Sequence, residues 1–240
     1  MNPTAALAEE RLQALAEPER VPVLRRFFRT GPGQYAEGDR FLGLRTATLR
    51  KLVRELREMP LEEMLVLLRS PWHEARLGAL LLMVDLYARS DAPTRERVFR
   101  AYLANAARVN NWDLVDASAE HIVGAHLLER DRALLGRLAR SPLLWERRIA
   151  VLASFHFIKK GDPSTTLELA ELLLEDREDL IHKAVGWMLR EVGKRDRAAL
   201  ERFLARHARE MPRTMLRYAI ERFEPEARRR WLAGELGDGA

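Results

Sequence analysis

The chain has 240 residues, a formal net charge of +5 and no cysteine. Without cysteine there can be no disulfide, iron–sulfur cluster or Cys-ligated zinc, a composition that suits a reducing cytoplasm. The start, MNPTAALAEERLQ, lacks a basic segment ahead of an apolar run, and the longest apolar stretch, around GALLLMV (78–84), is far too short to span a bilayer. The expectation is therefore a soluble, cytoplasmic protein with no membrane partner.

Charge is unevenly spread. Residues 19–60 carry ten basic side chains against five acidic, residues 180–230 fourteen against seven, and residues 61–179 sixteen against nineteen. Two basic flanks around a less charged centre suit a partner with a continuous negative backbone. Solvated helix faces in an arginine-rich chain would give the same counts, so charge alone leaves nucleic acid open.

Along the chain nearly everything reads as helix, because strand-like alternation is missing and apolar residues recur at three and four. Pro- and Gly-containing breaks at EPERVP (17–22), RTGPGQYAEGD (29–39), MP (59–60), RSP (69–71), RSDAP (89–93), RSP (140–142), KKGDPS (159–164), MPR (211–213) and FEPE (223–226) delimit the helices. Thr46, Ser141, Ser164 and Asp196 stand where N-caps belong, and Pro142 where a first helical residue would. Long apolar helices are expected over 73–89, 112–128, 144–160, 180–194 and 212–223. Three share a core of charged residues ahead of a small and aliphatic run: EARLGALLLM (74–83), ERRIAVLASF (146–155) and HKAVGWMLRE (182–191). Arg76, Arg148 and Lys183/Trp187 occupy comparable places in them. The steps from Arg76 to Trp112, Trp112 to Arg148 and Arg148 to Trp187 are 36, 36 and 39 residues. That spacing points to paired-helix repeats of the HEAT kind, stacked into a superhelix with a concave groove; a non-repetitive helical bundle is the alternative.

In NNWDLVDASAEH (110–121), Asn110 and Asp113 have the spacing of a capping box, which assigns Asp113 a structural role. Asp116 lies one turn further in, at i+4 from Trp112 and on its face, where the helix N-terminus favours an ionised carboxylate. Trp145 fits the core, and Arg148 could be an ordinary surface residue. Further on, Lys183, Trp187, Arg190 and Lys194 recur at four, three and four as one stripe. Such a stripe is either a core tryptophan with a charged rim or a strip for stacking and phosphate binding. Gly186 favours close approach of something large. No phosphate loop, dinucleotide turn, paired zinc histidines or nucleophile elbow occurs in the sequence, so neither a cofactor nor a metal is indicated.

YAEGDRFLGLRTATLRKL (35–52), NNWDLVD (110–116), LWERRIAVL (144–152) and HKAVGWMLREVGK (182–194) together resemble the AlkD family of DNA alkylation-repair proteins. The resemblance runs through most of the chain. It implies one all-α, HEAT-like-repeat domain over residues 1–240. The implied activity is that of a monofunctional DNA glycosylase acting, as a monomer and without cofactor, on double-stranded DNA containing alkylated purines. By the matching segments, the family's catalytic aspartate falls on Asp116, its cleft tryptophans on Trp112 and Trp187, and its cleft arginine on Arg148. Lys183, Arg190 and Lys194 are the accompanying DNA-backbone candidates. Where some relatives carry an aromatic residue just ahead of the first tryptophan, this chain has Asn111. Branches of the family keep the fold and DNA binding without excision, so a non-catalytic DNA-binding paralogue is one rival reading. A helical scaffold for an acidic protein is the other.

Overall fold

A computed structural model of the chain describes residues 2–235. Among them the all-α expectation holds: there are fifteen α-helices and no strand, with one isolated bridge between Arg40 and Trp72. Helices adjacent in the chain pack in pairs, in keeping with a HEAT-like repeat. The chain groups into two compact units divided between Ile122 and Val123.

The first unit holds α1 (Ala5–Ala14), α2 (Val21–Phe27), α3 (Thr46–Glu55), α4 (Leu61–Leu67), α5 (His73–Arg89), α6 (Ala92–Ala104) and α7 (Trp112–Asp116). Its axis is α5, packed by α1, α3, α4, α6 and α7. Ala75, Ala79, Leu80, Leu82 and Met83 are all buried, so this helix is apolar over more than one stripe, as a surrounded helix must be. Its successor α6 starts cleanly. Asp91 accepts from the Thr94 N–H at 3.1 Å, and a proline in the first turn gives up an N–H that had no partner anyway. Between α2 and α3 the chain runs without a regular α-helix and is fastened by Glu74. This buried carboxylate accepts from the backbone N–H groups of Leu42, Gly43 and Leu44 at 2.9, 2.8 and 3.2 Å. Gly43 has φ +92, and a Cβ there would sit 2.0 Å from the Glu17 carbonyl oxygen, so only glycine fits.

The second unit holds α8 (Ala133–Ala139), α9 (Leu144–Ala153), α10 (Phe155–Lys159), α11 (Ser164–Leu172), α12 (Asp179–Gly193), α13 (Arg197–His207), α14 (Arg213–Ala219) and α15 (Pro225–Ala233). Here α12 is central, packed by α9, α11, α13 and α14. Ile181, Ala184, Val185, Met188, Leu189 and Val192 form its buried stripe. Burial of side chains such as Met188 and Leu189 contributes about 1.5–3 kcal/mol each. The large neighbour of Gly186 is α14: a Cβ at Gly186 would lie 2.5 Å from the Met215 carbonyl oxygen and 2.6 Å from Tyr218 Cβ. The glycine expected to admit an outside partner admits a helix of the same chain.

Two of the long helices read from the sequence are interrupted. The 112–128 segment stops as an α-helix at Asp116 and resumes as a π turn over Glu120–Gly124. Ser118 donates to the Leu114 carbonyl at 2.6 Å, the back-bonding that bends helices. The 144–160 segment breaks at Ser154, whose hydroxyl donates to the Val151 carbonyl at 2.7 Å. Capping expectations also divide. Asp196 caps α13 through the Ala199 N–H at 2.8 Å, but Thr46 and Ser164 are first helical residues without a capping bond. Asp162 serves α11 in place of Ser164, accepting from its N–H and hydroxyl at 3.0 and 2.6 Å. Ser141 accepts from the Leu143 N–H, so α9 starts beyond Pro142.

The arginine alignment is off by one residue. Arg76 donates through Nη1 to the carbonyls of Ser70 and Pro71, and Arg147, not Arg148, does the same to Ser141 and Pro142. Each of the two also grips a buried aspartate: Arg76 holds Asp39 at 2.6 Å and Arg147 holds Asp176 at 2.7 Å. The repeated R-S-P break and its arginine thus form one recurring clamp.

Candidate active site

In the first unit, Trp112 and Asp116 lie one helical turn apart on α7 and line a common cavity of about 450 Å³. Phe27, Phe28, Leu77 and Leu81 contribute apolar wall, and Arg20, Arg50 and Thr46 contribute polar groups. Its volume and mixed lining are those of small-ligand sites. Trp112 stacks on Phe28 with ring centroids 5.2 Å apart and meets Phe27 edge-on at 5.6 Å. Its indole N–H donates to the Tyr35 hydroxyl at 3.2 Å. The indole is thus partly buried and fixed at both its face and its polar edge. Asp116 is also partly buried. Its charge reaches the phenol of Tyr102, which burial pushes up, against the effect of a Ser118 hydrogen bond, and which Asp116 pushes further.

Asp113 is not a cap. Asn111, rather than Asn110, occupies the N-cap of α7 and accepts from the Trp112 N–H at 2.8 Å. Asp113 instead meets His73 Nε2 at 2.8 Å, while His73 Nδ1 faces Asp39 at 3.3 Å. Asp39 also accepts from Arg76 at 2.6 Å and from Asn111 Nδ2 at 3.0 Å. Burial alone would lower the His73 pKa, but hydrogen bonds and charge from Asp113 and Asp39 override it and raise it to about 9. Burial raises the Asp39 carboxyl, yet His73, Arg76 and Asn111 hold it below the usual range. At neutral pH His73 is therefore an imidazolium donating from both nitrogens. Its ring packs against both Phe28 and Phe41, at centroid distances of 4.8 and 4.7 Å, and those two rings also stack on each other at 5.1 Å.

Sequence reasoning considered histidines only as paired zinc ligands and missed this network. Its partners lie 34 residues before His73 and 40 after it, so no local pattern betrays them. Asn111 is fully buried and uses its amide to tie Asp39 to the start of α7.

In the second unit the expected stripe on α12 exists, with each cation held by an acid. Lys183 pairs with Asp179 at 2.8 Å, an ion pair that depresses the Asp179 carboxyl. Lys194 pairs with Glu191 at 2.6 Å, and Arg190 contacts both Glu191 and Glu221. Glu191 is buried and also accepts from the Trp187 indole N–H at 3.3 Å. The Trp187 ring leans on Phe155 at 5.9 Å, and Lys159 Nζ lies 4.2 Å from the centre of the Phe155 ring. Arg148 is buried, with 5 % of its surface exposed, and donates through Nη1 to the Leu180 carbonyl at 2.7 Å. It fastens the start of α12 and is not an ordinary surface residue. Trp145 is half-buried. No cluster of metal-ligating side chains occurs among the described residues, and none of their helices is long and apolar enough to cross a membrane.

A family model described as DNA alkylation repair enzyme matches residues 8–223. Among solved structures, the chain is similar to one titled "Predicted DNA alkylation repair enzyme from Enterococcus faecalis". The TM-score is 0.67 at 16 % identity, covering 88 % of this chain and 97 % of that one. No curated protein sequence matches significantly.

Proposed function

The chain belongs to the DNA alkylation repair enzyme family, and from that premise we propose that it is a monofunctional DNA glycosylase. It hydrolyses the N-glycosidic bond of positively charged N3- or N7-alkylpurines in duplex DNA and leaves an abasic site. The observation that carries this reading is the shared cavity wall of Trp112 and Asp116, which Asp113 also lines while paired with His73.

A cationic alkylpurine is a good leaving group, so its departure requires no general acid, unlike ordinary glycoside hydrolysis with two carboxylates. One ionised carboxylate, Asp116, stabilises the oxocarbenium-like sugar and orients the attacking water. The electron-rich face of Trp112 suits a positively charged base. Trp187, Arg148, Lys183, Arg190 and Lys194 are the proposed DNA contacts of the second unit. The last three reach phosphates by exchanging a carboxylate partner for a phosphate oxygen.

The test is single-turnover release of 7-methylguanine from methylated duplex by the parent chain, Asp116→Asn and Asp113→Asn. Asp116→Asn should lose about 10²–10³ in rate while DNA affinity survives. Parent-like excision by Asp116→Asn would defeat the mechanism. A larger loss in Asp113→Asn would move the catalytic role to that aspartate. DNA binding by the parent chain with no base release would replace excision by lesion sensing.

A further inference from the structure

One group of the first unit has no part in the chemistry above: the ion network at the start of α7, two members of which, His73 and Asp113, also line the cavity. It joins three stretches distant in sequence. Asp39 comes from the irregular segment after α2, His73 and Arg76 from the first turn of α5, and Asn111 and Asp113 from the start of α7. Side-chain exposure is 3 % for His73, 5 % for Asp39, 7 % for Arg76 and 18 % for Asp113. Two carboxylates face two cations, so the network's formal charge sums to zero. Asp113 depends on His73 in particular, since its Oδ1 is buried without a hydrogen-bond partner. The same imidazole touches Phe28, on whose ring Trp112 stacks. His73 therefore reaches α7 by two routes, through the Asp113 carboxylate and through the Phe28–Trp112 stack. That helix has only five residues and cannot hold its own geometry.

We propose that His73 is a positioning residue for excision: its imidazole, bonded at both nitrogens, fixes the start of α7 and with it the placement of Trp112 and Asp116 at the cavity wall. The inference rests on the excision reading and names what holds that site in register. The groups that face His73 are Asp113 from α7 and Asp39 from the irregular segment, with Arg76 of its own helix acting through Asp39. When His73 loses its proton, one of its nitrogens becomes an acceptor facing a carboxylate, and that contact turns repulsive. Whichever nitrogen it is, a tie to the start of α7 slackens, because Asp113 belongs to that helix and Asp39 is bonded to its cap residue Asn111. Misplacement of a reacting group by about an ångström costs on the order of a hundredfold in rate.

The experiment compares the parent chain and His73→Gln in single-turnover release of 7-methylguanine, with duplex affinity measured alongside, from about pH 7 to pH 10. The parent rate should fall through an alkaline midpoint matching His73's own titration, followed by its ring-proton resonance. Duplex affinity should stay within about twofold across that midpoint. His73→Gln should be slower by on the order of ten- to a hundredfold at neutral pH, with the alkaline midpoint gone and affinity kept. Folded His73→Gln with the parent rate and profile overturns the inference, as does a parent midpoint that ignores the His73 titration. Should His73→Gln not fold, the match of those two parent titrations decides. A second readout is independent of excision: the carbon-bound ring protons of Trp112, assigned by their loss in Trp112→Phe. They should move with the His73 titration. Stationary Trp112 signals overturn the inference, whereas coupled signals in a chain that releases no base overturn only the excision reading.

Discussion

The buried imidazolium ties the stability of the first unit to alkaline pH, and the size of the effect can be worked out. His73 has a pKa of about 9 in the folded chain against an ordinary value of 6.5. The folded state thus holds this proton more tightly than the unfolded one, and above pH 6.5 unfolding releases it. The stabilisation is complete below about pH 6.5, declines as pH rises, and is gone once pH passes through about 9. At about 1.4 kcal/mol per pH unit the full contribution is on the order of 3 kcal/mol. Other groups titrate over the same range, so the quantity to measure is the stability difference between the parent chain and His73→Gln. Urea denaturation followed by circular dichroism, in buffers from about pH 6 to pH 10, supplies it. The difference should be largest at the acidic end and shrink by about 3 kcal/mol towards the alkaline end. A difference that stays flat would mean that His73 holds no extra proton. One that grows with pH would mean that the imidazole is buried neutral, and the reading of Asp39 and Asp113 as its counter-ions would fall.

Four further outcomes concern residues of the second unit. Gly186→Ala pushes a methyl group against backbone atoms of α14 rather than against a yielding side-chain tip. It should lower the thermal midpoint by the equivalent of about 1–3 kcal/mol, and an unchanged midpoint would contradict the close packing of α12 on α14. Arg147→Met leaves Asp176 buried without its cation and should cost about 3–5 kcal/mol in denaturant titrations, most of it recovered in Arg147→Met with Asp176→Leu. If the double variant is no better than the single one, the clamp is not an ion-pair unit. DNA affinity should fall linearly on a log–log plot against salt, with Lys183→Ala shallowing the slope by roughly one contact. Arg148→Ala, because it releases the Leu180 carbonyl, should lower thermal stability as well, and salt-indifferent binding would remove the phosphate contacts altogether.

Much of the fold was legible because the signals are local. Pro- and Gly-rich breaks end helices wherever they occur, and the stripe Ile181, Ala184, Val185, Met188, Leu189, Val192 declares α12 from spacing alone. The pairing of Trp112 with Asp116 was legible for the same reason, since i and i+4 share a face on any helix. The role of Asp113 was not. A carboxylate three residues after an asparagine looks like a cap, and only a histidine 40 residues earlier, brought up by α5, reveals its actual partner. The interruptions at Ser118 and Ser154 were hidden because serine in an apolar run does not say which carbonyl its hydroxyl will choose. The one-residue slip between Arg148 and Arg147 was avoidable. The R-S-P triplet precedes Arg76 and Arg147 by the same distance, so alignment on the break instead of the aliphatic run gives the right register.

The clasp of Glu74 on Leu42, Gly43 and Leu44 fills an anion site with a side chain of the same chain. Three consecutive amide hydrogens converging on two oxygens make a receptor for an oxyanion, the arrangement with which other proteins capture phosphate. Here the guest is tethered to the host. The receptor is occupied in every molecule at every phosphate concentration, so its binding energy is spent on shaping the loop and none is left for a ligand. A chain that shortened Glu74 to alanine would trade a self-satisfied turn for a vacant oxyanion cradle.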